Sequence, residues 1–119
     1  MQISVTGRHM EITDAIRDYV HNKVQHEMVE FPRIESIHVI LAIEKYRHLA
    51  EVFIQAPNHV RVDAREESQD MYVSIDGAAE KAARQMKRLH DKIVHDHKSR
   101  EKLAKVDLEV QQASGEAVS

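Results

Sequence analysis

Residues 37–66 read IHVILAIEKYRHLAEVFIQAPNHVRVDARE, and this stretch decides the architecture. Three runs in it alternate with the period of two that marks a strand with one buried face. Ile37, Val39, Leu41 and Ile43 share a face over 37–43, while Ile40 and Ala42 leave the other face partly apolar. Ala50, Val52, Ile54 and Ala56 share a face over 50–56. Over 59–66, Val60, Val62 and Ala64 point one way, and His59, Arg61, Asp63 and Arg65 point toward solvent. The connections, 44–48 and Pro57-Asn58, are too short for a parallel crossover. The three strands therefore form an antiparallel meander.

Working outward toward the N-terminus, Gln2-Ile3-Ser4-Val5-Thr6 alternates and reads as a further strand ending at Gly7. Thr13 caps a helix over 14–28, whose apolar positions Ile16, Tyr19, Val20, Val24 and Met28 recur at three and four. Pro32 stops it, and Phe31 closes it against the sheet. Toward the C-terminus, Asp70 caps a long helix. Its stripe of Tyr72, Ile75, Ala79, Ala82, Met86, Leu89 and Ile93 is spaced three, four, three, four. Past about residue 98 the period weakens, and 111–115 read as a flexible tail. The order is β-α-β-β-β-α. The economical solution is an α+β fold, a four-stranded sheet with two helices on one face. The expected division is a domain over 1–98 followed by a helix extension and tail over 99–119.

The chain has 119 residues, enough for one domain. Hydrophobic residues make up 42% and charged residues 31%, a globular balance. There is no Cys, which excludes a disulfide framework, a thiolate zinc site and a cysteine nucleophile. The opening residues lack a basic start and a long apolar run, and no stretch is long enough for a membrane span. A cytoplasmic protein that does not engage a membrane is the expectation. GxSxG, GxGxxG, Walker and HExxH patterns are all missing, and three glycines cannot build a phosphate-cradling loop. The nine histidines lack the i, i+4 spacing of a helical zinc site and read as surface residues. No catalytic residue, metal, cofactor or small-molecule substrate is expected.

Charge is more informative than chemistry. Between Lys81 and Lys92 lie Lys81, Arg84, Lys87, Arg88 and Lys92 against the single acid Asp91, net +4. The whole chain is −3, so the remainder carries −7. At about 100° per residue, Lys81, Arg84, Arg88, Lys92 and His95 fall within about 80° of one another, about 150° from the apolar stripe. Such a row suits a run of phosphates, each met by a lysine or a forked arginine. It equally suits a solvated helix face with intrahelical pairs such as Glu80 with Arg84. Among the five aromatics, only Phe53 is placed to stack a base on an open strand, so any RNA contact is to backbone and shape. Two other readings stay open. The last helix, through Met86 and Leu89, would serve as a protein-interaction module, or the chain would be a general double-stranded RNA binder.

Asp70-Met71-Tyr72, followed by Ser74-Ile75-Asp76, resembles the DMYxxID signature of the ribosome hibernation promoting factor family. That family also includes the ribosome-associated inhibitor and the sigma-54 modulation proteins. The opening Met1 to Gly7, Glu11-Ile12-Thr13 with Tyr19-Val20, Val39 to Lys45, and Arg84-Gln85 with the basic residues after it are similar to the family as well. The resemblance runs from residue 1 to about 98 and implies a fold akin to double-stranded RNA-binding domains. It implies binding to the small ribosomal subunit and its ribosomal RNA, in the channel of messenger and transfer RNA, and silencing of translation under stress or in stationary phase. By the same resemblance Lys81, Arg84, Lys87, Arg88 and Lys92 hold RNA phosphates, joined by Lys23 and Arg33, with Lys45 and Arg47 in the hairpin. Asp70, Tyr72 and Asp76 are implied to seat the helix. A chain of 119 residues corresponds to the short form, without the extra dimerisation domain of long members, and a monomer off the ribosome is expected. The first helix departs from relatives in carrying Gln25, His26, Glu27 and Glu30 where lysines are usual, and Pro57-Asn58 lacks the usual glycines.

Overall fold

The computed structural model describes residues 1–102, with side chains described through Lys92. The expected tail from 103 onward, and the side chains of Ile93 and His95, lie outside the described residues. The elements are β1 (Gln2–Arg8), α1 (Asp14–Glu27), β2 (Ser36–Glu44), β3 (Arg47–Ala56), β4 (Val60–Ser68) and α2 (Met71–Lys102). Strand order in the sheet follows the chain, β1-β2-β3-β4. β1 runs parallel to β2, with Val5 opposite Val39, because α1 carries the chain back across the sheet. β2, β3 and β4 form the antiparallel meander, with Val39 opposite Val52 and Val52 opposite Ala64. Contacts divide the chain into two units within α2, at Arg84 and Gln85.

In the first unit, one sheet face is sealed. Ile37, Val39, Leu41, Ala50, Val52, Ile54, Val62 and Ala64 are all buried, as the alternation required. Val20, Val24 and Met28 of the first helix and its exit, and Ile75, Ala78, Ala79 and Ala82 of α2, complete the core. Small residues dominate that stretch of α2, which suits close packing on a sheet. Phe31 and Ile34, in the connection from α1 to β2, are buried too. The other face of the sheet carries Arg8, His38, Glu51, Phe53, Arg61, Asp63 and Arg65, half-buried or exposed.

Helix starts follow their caps. The Thr13 hydroxyl accepts from Ile16 N–H at 3.2 Å, and α1 ends with Met28 N–H on the Val24 carbonyl, before Pro32 is reached. The strands overrun their expected ends by one to three residues. β1 passes through Gly7 to Arg8, since a ladder partner, Leu41, is available there. A side chain at Gly7 would stand 2.6 Å from the Met10 carbonyl oxygen, so the turn after β1 is built around the missing Cβ. The β3–β4 turn is closed by Val60 N–H on the Pro57 carbonyl (3.4 Å), with Asn58 and His59 both left-handed. That is the backbone of a primed hairpin turn, adopted here without glycine.

Candidate nucleic-acid interface

Within the DMYxxID stretch, Asp70, Tyr72, Ser74 and Asp76 make bonds that hold the fold together. Tyr72 N–H donates to Asp70 Oδ1 (2.8 Å), which is the N-cap of α2. Ser74 is fully buried, and its hydroxyl donates to the His48 carbonyl (2.6 Å). Asp76 accepts from the Tyr19 hydroxyl (2.7 Å), and the Tyr19 and Tyr72 rings meet edge to face at 4.8 Å. The hydrogen bond to Asp76, then burial, holds the Tyr19 phenol above the usual tyrosine range. Tyr19 and Tyr72 thus form a clamp between α1 and α2 at the surface. Tyr72 is 43% exposed, unlike the core position its place in the apolar stripe suggests.

The cations expected to hold RNA fall into two groups. Lys23 is tied to Glu80 (2.9 Å) and Glu27 (3.3 Å), and the hydrogen bond to Glu80 holds its ammonium above the usual lysine range. Arg47 forks onto Glu67 with two bonds of 2.9 and 2.8 Å, which depress the Glu67 carboxyl below its ordinary range. Lys81 donates to the Arg65 carbonyl (2.9 Å) and to Glu66 (3.2 Å). Glu66 leans over Gly77, where a Cβ would meet its side chain at 2.6 Å, so the glycine makes room for the acid that holds Lys81.

The second group is open. Arg84 is exposed in the first unit and forms no ion pair among the described residues. Glu80, the acid four residues before it, is turned to Lys23 instead. Arg33, in the α1–β2 connection, and Lys45, left-handed in the two-residue β2–β3 loop, are likewise exposed and without ion pairs among the described residues. In the second unit, Lys87, Arg88 and Lys92 are exposed on the continuing helix and form no ion pair among the described residues; His90 Nδ1 lies 3.8 Å from Asp91 there. Met86 is buried and Leu89 half-buried. Sequence reading passed over Tyr46, 84% exposed at the hairpin tip between Lys45 and Arg47. Its signal is an aromatic in a two-residue loop that no core position claims.

The open sheet face is a weaker candidate for a polyanion. Its hollows, of about 360 Å³ beside His38 and Phe53 and about 150 Å³ beside Arg8 and Glu51, are shallow. Arg8, Arg47, Arg61 and Arg65 stand there with Glu44, Glu51, Asp63 and Glu67, so the face carries no net charge to attract phosphate. No cluster of three metal-ligating side chains occurs among the described residues. No helix among them is long and apolar enough to cross a membrane.

Comparison with known proteins adds a consistent picture. The ribosome hibernation promoting factor of Salmonella typhimurium is 39% identical over 93 residues, covering 78% of this chain and 97% of that protein. The factor of the same name from Escherichia coli K12 is 38% identical over the same shares. Among solved structures, a ribosomal subunit interface protein from Coxiella burnetii superposes with a TM-score of 0.72 at 26% identity, covering 76% of this chain and 99% of that one. The N-terminal domain of Thermus thermophilus Protein Y gives 0.68 at 35% identity, over 75% and 99%. Residues 3–94 match the sequence model of the Sigma 54 modulation protein / S30EA ribosomal protein family. With that match over most of its length, the chain belongs to the Sigma 54 modulation protein / S30EA ribosomal protein family.

Proposed function

We propose that the chain is a non-enzymatic ribosome hibernation factor. It binds the small ribosomal subunit through ribosomal RNA, in the channel of messenger and transfer RNA, and silences translation in stressed or stationary cells. The names of its relatives support ribosome hibernation. The observation that carries the RNA contact is that Arg84, Lys87, Arg88 and Lys92 are exposed cations with no carboxylate paired to them among the described residues. Each meets a phosphate; Arg33 and Lys45 add to them at the edges of the fold. Lys23, Arg47 and Lys81 contribute only by exchanging their present carboxylates for phosphate. The mechanism is occupancy, a folded body standing where nucleic acid would sit, and it needs no catalytic group. Cytoplasmic location and a monomeric free state follow from the same reading.

Counterion release supplies the test. Four phosphate contacts at about 0.7–0.9 each give a log–log slope of affinity against salt of roughly −3 to −4. Cosedimentation with separated small subunits over a salt series measures it. A slope near zero overturns the electrostatic mechanism. Competition by free RNA hairpins as effective as intact subunits would favour a general double-stranded RNA binder.

A further inference from the structure

β4 ends the sheet, so one rim of its backbone faces away from β3. Two observations identify the residues on that rim. Gln55, opposite Arg61 in the ladder, turns its carbonyl to the β2 side, accepting from Glu35 N–H at 2.9 Å. The Arg65 carbonyl accepts from Lys81 Nζ at 2.9 Å, outside the ladder. Since peptide groups alternate in direction along an antiparallel strand, the N–H and C=O of Arg61, Asp63, Arg65 and Glu67 point to the free rim. The same four side chains are exposed, and their charges alternate plus, minus, plus, minus.

That pattern is complementary to itself. Antiparallel pairing with a second β4 about Ala64 sets Asp63 opposite Arg65 twice and Arg61 opposite Glu67 twice. A slip of two residues, the smallest that keeps rim amides facing, sets Asp63 against Asp63 with Arg61 against Arg65. The opposite slip sets Arg65 against Arg65 with Asp63 against Glu67. One register is attractive and its neighbours are repulsive, which specifies pairing as a hydrophobic face does elsewhere. Arg61, Asp63 and Arg65 form no ion pair among the described residues, though Glu51 hydrogen-bonds Asp63 and feels the charge of Arg65, whereas Glu67 is already bound to Arg47. The two inner Asp63–Arg65 pairs therefore dominate. Lys81 stands in the way: its ammonium sits on the Arg65 carbonyl that the Asp63 N–H of a second copy would use, and Glu66 holds it there at 3.2 Å.

We infer that β4 is a docking edge for the β4 of a second copy of this chain, two-fold symmetric about Ala64, and that Lys81 keeps it closed. The inference goes beyond the ribosomal reading and stands without it. Sedimentation equilibrium of the full chain, without ribosomes, tests it. The parent sediments as the 13.7 kDa monomer. Lys81→Ala and Lys81→Gln, each shown folded by circular dichroism, form a dimer with self-association at least tenfold tighter than the parent's. Lys81→Gln keeps most of the stem, so the result does not hang on the alanine. Adding Arg65→Asp to a Lys81 variant returns it to monomer by opposing Asp63 with an acid. Adding Asp63→Arg as well exchanges both signs and restores the dimer. Folded Lys81 variants that stay monomeric, a parent that dimerises as tightly as they do, or a dimer indifferent to Arg65→Asp would each overturn the inference.

Discussion

Tyr19 and Asp76 are 57 positions apart, yet a hydrogen bond between them helps fasten α1 to α2, beside that of Lys23 with Glu80. A bond to a half-exposed carboxylate contributes about 1 kcal/mol. Tyr19→Phe is expected to lower stability by about that amount, read from the urea midpoint at unchanged m-value. The pH dependence follows from the direction of the shift. The folded state holds the phenolic proton to higher pH than the unfolded chain, so it binds more protons between the two pKa values. Stability therefore falls as pH rises through the usual tyrosine range near 10, and Tyr19→Phe removes that part of the fall. Two backbone positions give predictions of opposite sign. Gly7→Ala drives a Cβ onto the Met10 carbonyl and is expected to cost about 1–3 kcal/mol. His59 is left-handed at a φ of 61°, and His59→Gly is expected to stabilise by roughly 1 kcal/mol. Thermal unfolding checks both. The histidines also show where composition misleads. His38 bonds Ser4 and Thr6 across β1 and β2, and His48 buries an Nδ1 that has no partner among the described residues, so neither is a plain surface residue.

At the scale of elements, strands and helices were legible because each buries one face, and burial writes its period into the sequence. Val20 and Val24, Ile37 and Val39, Ile75 and Ala79 are buried where their spacing put them. Partners between elements were not legible. Glu80 looks toward Arg84 when α2 is read alone, but α1 sets Lys23 beside it, and the acid goes there. Lys81 was readable as part of a basic row, yet its bond to the Arg65 carbonyl depends on where β4 lies under α2. The exposure of Arg84 was legible from its angle to the apolar stripe; its freedom from Glu80 was not. The open sheet face supplies a prediction of its own. Burial, then a hydrogen bond to Asp63, raises the Glu51 carboxyl, against the opposing pull of Arg65 and Arg8. The folded state therefore binds more protons than the unfolded chain just above the usual glutamate range, and stability drops as pH rises through it. Glu51→Gln is expected to raise the melting temperature at neutral pH, with the gain vanishing in acid where Glu51 is protonated. A gain independent of pH would contradict that assignment.

At the scale of the whole molecule, several carboxylates among the described residues hold cations. Glu27, Glu66, Glu67 and Glu80 tie down Lys23, Lys81 and Arg47. Of the row read from sequence, Arg84, Lys87, Arg88 and Lys92 stay without an ion pair among the described residues, as do scattered cations such as Arg33, Lys45, Arg61 and Arg65. A protein of net charge −3 binds a polyanion only by such sorting, since its mean field opposes the approach. Exposed cations also do little for folding, so they are removable without loss of the fold. The most direct measurement is cosedimentation of the full chain with separated small ribosomal subunits, comparing the parent with Arg84→Glu/Arg88→Glu. The account predicts that the double variant unfolds at the parent's temperature and loses binding by on the order of a hundredfold at physiological salt. A folded double variant that binds small subunits as tightly as the parent would contradict it.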